Sequence, residues 1–137
     1  MSFLLDTNLL SEIRKGAKCD RRAWSWYENL PLEELYISVM TTGEIRKGAE
    51  LCRRKDAPRA RVYEIWLREL EIEFSERILP INAEIADLWG RLSARGGVPI
   101  IDGLIAATAG HHGLTVASRN TADFQRCGVD YINPFEA

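Results

Sequence analysis

The chain is poor in the features that announce several common chemistries. Its three cysteines, Cys19, Cys52 and Cys127, are far apart and odd in number. No C-x-x-C spacing exists, so neither a cysteine zinc site nor a disulfide framework is indicated, and free thiols fit a reducing cytosol. No H-E-x-x-H, G-x-S-x-G, Walker A or G-x-G-x-x-G pattern is present, so those metalloprotease, serine-hydrolase, P-loop and dinucleotide readings have no support. No apolar run approaches the roughly 18–20 residues that span a bilayer. Near the N-terminus Asp6 and Glu12 interrupt what would be the apolar stretch of a signal peptide, and no cleavage-site pattern follows. An excess of one charge is missing too. The formal net charge is −2, so an argument for nucleic-acid binding has to rest on local clusters.

What is present is the composition of an ordinary globular protein, 46% hydrophobic and 28% charged, in 137 residues. That length suits one domain, expected over 1–137. "SFLL" (2–5) reads as a buried strand, and "NLLSEIRKG" (8–16) as a helix that stops near Gly16. A second helix is predicted from about Asp20, with Pro31 beyond its end. "ELYISVM" (34–40) is rich in β-branched and aromatic residues and reads as a strand. A helix from about Thr41 to Arg54 follows, then another over 57–74, with Val62, Ile65, Trp66 and Glu69 on one side and Leu70 extending the stripe. "RILPIN" (77–82) is a brief strand. Ile85, Leu88, Trp89 and Leu92 lie at i, i+3, i+4 and i+7, the cleanest amphipathic helix in the chain. "PIIDGLIAATAGHHG" (99–113) is apolar or small on nearly all sides, which predicts a central buried helix ending at Gly113. "LTVAS" (114–118), "NTADFQRCG" (120–128) and "VDYIN" (129–133) complete the order as strand, short helix and strand. Short apolar strands separated by helices point to an α/β domain with a mainly parallel sheet.

In an open parallel sheet, the loops at the carboxyl ends of the strands share one edge, and ligands bind there. Asp6 follows the first strand, Glu44 lies on the helix entry after the second, and Asn120 and Asp123 follow "TVAS". Asp102 opens the buried helix and can reach the same edge. Each has a purely local explanation. Asp6, Asp102 and Asn120 are good helix caps, and Thr41-x-x-Glu44 is a capping-box spacing. A capping residue can still present an oxygen. Asp102 heads a nearly all-apolar helix, a costly place for an unpaired charge. Several carboxylates on one edge repel one another unless a cation offsets them. Mg²⁺, which prefers oxygen ligands, fits such a set. His111 and His112 sit at the other end of that helix and do not compete for this role. Basic clusters at 14–22 and 46–61, including Lys15 and Arg46, are candidates to grip phosphates, or else solvated helix faces.

Four segments together, "LLDTNLLSE" (4–12), "ISVMTTGEIRKGAE" (37–50), "DGLIAATAGHHGLTVASRNTADF" (102–124) and "INPFEA" (132–137), resemble the PIN-domain ribonucleases, specifically VapC toxins of the FitB-like kind. The resemblance implies a three-layer α/β/α PIN-like domain and a metal-dependent endoribonuclease. Asp6, Glu44 and Asp102 correspond to the family's three main acids, and Asp123 to the region of its fourth. Asn120 stands where many members carry aspartate, so which of Asn120 and Asp123 completes the site stays open. Thr7 and Asn8 follow the first acid and are expected to orient it. The implied cofactor is Mg²⁺, with Mn²⁺ as a substitute. The implied partners are an RNA substrate, a VapB-like antitoxin that carries the DNA-binding part, and a second copy of the chain, in a cytoplasmic setting without a membrane. Two alternatives share these residues: a housekeeping RNA-processing nuclease of the same fold, and a non-catalytic partner in a repressor complex.

Overall fold

The alternation within the first apolar run decides the layering. Phe3 and Leu5 point to one side of a strand and Leu4 to the other, and all three are buried, as a central strand requires. In a computed structural model describing residues 1–137, that strand is β1 (Phe3–Leu5). It is followed by α1 (Thr7–Ile13), α2 (Arg21–Glu28), β2 (Leu35–Ser38), α3 (Val39–Arg53), α4 (Ala57–Glu73), β3 (Ile78–Leu79), α5 (Ala83–Ser93), α6 (Ile100–His112), β4 (Thr115–Ala117), α7 (Thr121–Cys127) and β5 (Tyr131–Ile132). The sheet order is β3-β2-β1-β4-β5, and every pairing is parallel.

Two cores flank this sheet. Phe3 and Leu5 join Leu9, Leu10, Ile45, Leu67, Leu70 and Phe74, contributed by α1, α3 and α4 and the residue that ends α4. Leu4 and Val116 join Ile105, Ala106, Ala109 and Phe124 on the face covered by α6 and α7. Helices therefore cover both faces of a parallel sheet, the three-layer α/β/α arrangement expected from the strand–helix order. On the inner helix α6, a side chain at residue 103 would require Trp89 to yield. A Cβ on Gly103 would stand 3.1 Å from Cδ1 and 3.2 Å from Nε1 of Trp89, so glycine lets α5 and α6 approach. Gly113 ends α6 in the left-handed conformation at φ 67°.

Three local expectations change. The strand expected to run to Met40 stops at Ser38, because the Ser38 side chain accepts a hydrogen bond from Met40 N and starts α3 there. Thr41 is therefore inside the helix and fully buried, and the Thr41–Glu44 capping box does not form. On α4 the inward line is Ala60, Leu67, Leu70 and then Phe74. Val62 and Ile65 are about half exposed, at 49% and 52%, while Trp66 packs against the core from its edge. Asp102 does not cap α6; Pro99 holds that position and Asp102 lies in the first turn. No helix is long and apolar enough to cross a membrane.

Candidate metal centre

β1, β2 and β4 lie side by side, so their carboxyl ends deliver three chain segments to one edge. Asp6 comes first after β1. Its backbone N–H donates to Ala117 O at 3.0 Å, which carries the β1–β4 ladder one step past β1 and sets Asp6 beside Ser118. Asp6 caps α1, accepting from Thr7 N at 2.8 Å through Oδ1. Its Oδ2 accepts from Ser118 Oγ at 2.7 Å and from Asn8 Nδ2 at 3.2 Å. Only 5% of Asp6 is exposed. Burial pushes its carboxyl above the ordinary range, the Ser118 and Thr7 hydrogen bonds pull it back, and the charges of Glu44 and Asp123 raise it further.

Thr7 links this acid to the next segment. Its hydroxyl donates to Glu44 Oε1 at 2.6 Å, and Thr41 Oγ1 lies 3.1 Å from it. Glu44, six residues past β2, is thus turned back toward α1 rather than toward its own helix start. The local explanation offered for Glu44 fails, and its position beside the first acid stands. Asn8 braces the other side. Its amide nitrogen donates to Ser118 Oγ at 3.1 Å as well as to Asp6, and its oxygen accepts from Arg119 N at 3.2 Å. Thr7 and Asn8 thus hydrogen-bond to Asp6, and Thr7 also to Glu44.

Asp102 and Asp123 approach from the first turns of α6 and α7, and Asn120 lies between them. Asn120 holds the N-cap position of α7 but makes no side-chain cap bond. Its Nδ2 donates instead to Asp123 Oδ2 at 2.7 Å and to Asp102 Oδ2 at 3.2 Å. Asp123 is 8% exposed, and its Oδ1 accepts from Arg126 Nη1 at 3.3 Å. The Asp102 carboxyl is pushed up to about 7, first by burial, then by its hydrogen bond with Asp123, then by the charges of Asp6, Asp123 and Glu44. The other three acids therefore all act on the Asp102 carboxyl. As arranged here they do not close into a three-ligand cage.

Two contributors escape a reading of sequence. Ser118 is fully buried and joins the β4–α7 junction to the β1–α1 junction: it donates to Asp6 and accepts from Asn8 Nδ2 and from Asn120 N at 2.9 Å. Its only signal is a hydroxyl at the end of an apolar strand, level with Asp6 on the neighbouring strand. Arg126 balances Asp123 and also donates to Gly97 O at 3.1 Å, tying α7 to the loop before α6. Three members of the basic clusters are ion-paired elsewhere. Lys15 pairs with Glu12 at 3.0 Å, Arg46 with Glu64 at 2.9 Å, and Arg53 with Glu50 at 2.7 Å. Lys15 and Arg46 are thus ion-paired helix-surface residues, which favours the solvated-face reading for these two.

A family model described as "PIN domain" matches residues 3–129. A VapC ribonuclease, Y4jK, of Sinorhizobium fredii (strain NBRC 101917 / NGR234) is 37% identical over 143 aligned positions, covering 98% of this chain and 98% of that protein. Toxin FitB of Neisseria gonorrhoeae (strain ATCC 700825 / FA 1090) is 33% identical, covering 97% of this chain and 98% of its own length. Among solved structures, FitAcB from Neisseria gonorrhoeae superposes with a TM-score of 0.87 at 32% identity, over 98% of this chain and 99% of that one. A DNA-bound VapBC from Salmonella typhimurium gives 0.74 at 27% identity, over 98% of each chain.

Proposed function

The chain belongs to the PIN-domain family, in its VapC/FitB toxin branch, and from that premise we propose that it is a divalent-metal-dependent endoribonuclease, the toxin of a type II toxin–antitoxin pair. The observation that carries the reading is the gathering of Asp6, Glu44 and Asp123 around Asp102, whose carboxyl is pushed up to about 7 first by burial and then by these neighbours. Burying like charges together is unfavourable, and a structure that does so calls for a cation. The donors are oxygens alone, the chemistry of Mg²⁺ with Mn²⁺ as a substitute, rather than of zinc. Asp6, Glu44 and Asp102 would hold the ion, with Asp123 and Asn120 beside them. When bound, such an ion supplies charge stabilisation for phosphodiester cleavage and lowers the pKa of an attacking water.

The chain's own residues prepare that site. Thr7 N, Ser118 and Asn8 fix both oxygens of Asp6, so this carboxylate is preorganised. Thr7 holds Glu44 through one oxygen and leaves Oε2 clear of protein donors. Asp102 must release its proton before it can serve as a charged ligand, so cation binding competes with protonation there.

A single PIN domain over 1–137 carries this activity in the cytoplasm. The relatives include toxin–antitoxin complexes, some bound to DNA. That supports a VapB-like antitoxin as partner with DNA contact only through it, and the family resemblance adds a homodimeric toxin to the reading. The test is cleavage of total cellular RNA by the purified chain with Mg²⁺ or Mn²⁺, with EDTA, and with Asp102→Asn. Cutting that needs both the metal and Asp102 is expected. Cutting that survives EDTA and the substitution refutes the site, and no cutting by folded, antitoxin-free protein refutes the nuclease reading for a broad RNA pool.

A further inference from the structure

Four acids meet at this edge, but they are not equivalent. None of Asp6, Glu44 and Asp102 has a cationic partner: Thr7, Asn8 and Ser118 bond to Asp6, the Thr7 hydroxyl to Glu44, and the Asn120 amide and the Asp123 carboxyl to Asp102. Asp123 alone has a cationic one, the Arg126 guanidinium. Its charge is already balanced, and each of its oxygens accepts a protein hydrogen bond, from Asn120 and from Arg126. Asn120, in turn, turns its donor end to the acids. Its amide nitrogen lies 2.7 Å from one carboxylate and 3.2 Å from the other, and both of its hydrogens are used there. An amide ligating a cation offers its oxygen, which this orientation does not do.

We infer that Asn120 and Asp123 are positioning residues and not ion ligands. The charge-balanced Asp123 fixes the Asn120 amide, and that amide aims the Asp102 carboxylate, leaving Asp102 Oδ1 free of protein donors. The series runs from the Gly97 carbonyl through Arg126, Asp123 and Asn120 to Asp102. It resolves the choice between Asn120 and Asp123 for the last ligand: neither takes that place. It rests on the proposed cation site at Asp6, Glu44 and Asp102. Hydrogen-bond partners behind a ligand commonly change metal affinity by about 10–100-fold when removed.

The test is titration of the full chain with Mn²⁺, free ion read by electron paramagnetic resonance, for the parent, Asp102→Asn, Asp123→Asn, Asn120→Ala and the Asp123→Asn/Asn120→Ala pair. Asp102→Asn should abolish detectable binding. Asp123→Asn and Asn120→Ala should each weaken it about tenfold, and the pair should be no weaker than either alone, because both cut one series. An Asp123→Asn loss as complete as that of Asp102→Asn makes Asp123 a ligand and overturns the inference. So does an unchanged affinity in Asn120→Ala, or additive losses in the pair. Asn120 is exposed, so its alanine variant should stay folded even where Asp123→Asn does not. A second arm needs no metal. In EDTA, the Asn120 side-chain amide signals in a ¹⁵N–¹H spectrum should lie away from solvent-exposed asparagines and move toward them in Asp123→Asn. A parent protein that binds no Mn²⁺ refutes the proposed cation site, whereas solvent-like Asn120 signals in EDTA refute the series itself.

Discussion

Replacing Asp102 by Asn should make the metal-free protein more stable, not less. The Asp102 carboxyl rises from 3.8 to about 7 on folding. Below pH 3.8 both states hold the proton and the residue is neutral in its effect. As pH climbs from 3.8 to 7 the unfolded chain ionises while the folded one does not, so stability is lost across that window. Above pH 7 the penalty is complete and flat. Three pKa units set a ceiling of about 4 kcal/mol. The carboxyl is only about half-buried, so solvent screening brings the expected penalty to about 1–2 kcal/mol. Its place in the first turn of α6 also favours a negative charge, by about 0.5 kcal/mol, which keeps the figure low. Asn removes the charge with little change of volume. For a chain of this length the gain corresponds to about 3–8 °C in Tm. The assay is thermal unfolding of parent and Asp102→Asn in EDTA from pH 4 to pH 8.5. The difference should be near zero at pH 4, grow to pH 7 and then hold. Added Mn²⁺ should raise the Tm of the parent only. A variant equal to or less stable than the parent at pH 8 refutes the crowding argument.

Two further substitutions probe the framework. Gly103→Ala puts a Cβ 3.1 Å from Trp89 and should cost about 1–3 kcal/mol by overpacking; an unchanged urea midpoint would show that α5 shifts freely. Ser118→Ala removes a buried donor to Asp6 and the acceptor for Asn8 and Asn120 N. It should cost about 1–3 kcal/mol and push the Asp6 carboxyl higher still, read by carboxyl ¹³C titration; an unmoved Asp6 would deny Ser118 its linking role.

The layers were legible because they rest on periodicity. The short apolar run at 2–5 and the apolar sides of 100–112 need no distant partner to be read. Boundaries failed where a side chain decided them. Ser38 took the cap that the Thr41–Glu44 spacing advertised, so α3 starts two residues early. The α4 stripe was read off Val62 and Ile65, but Phe74 and Leu70 anchor the helix and turn those two outward. Asp6, Glu44 and Asp123 could be gathered from topology, since loops after parallel strands share an edge, whereas Asp102 follows no strand and stands out as a charge at the head of an apolar helix. The roles of Ser118 and Arg126 could not be read in either way. Ser118 joins Asp6 across 112 positions, and such side-chain bonds leave no periodic trace.

The most direct test of the central claim is a crystal structure of the full chain soaked in Mn²⁺, with data collected for the anomalous signal of manganese. The account requires a peak about 2.1 Å from oxygens of Asp6 and Asp102, close to Glu44, with Asn120 still bonded to Asp102 and Asp123. A peak held by Asp123 or by the Asn120 oxygen, or a fully occupied ion elsewhere with this edge empty, would contradict it.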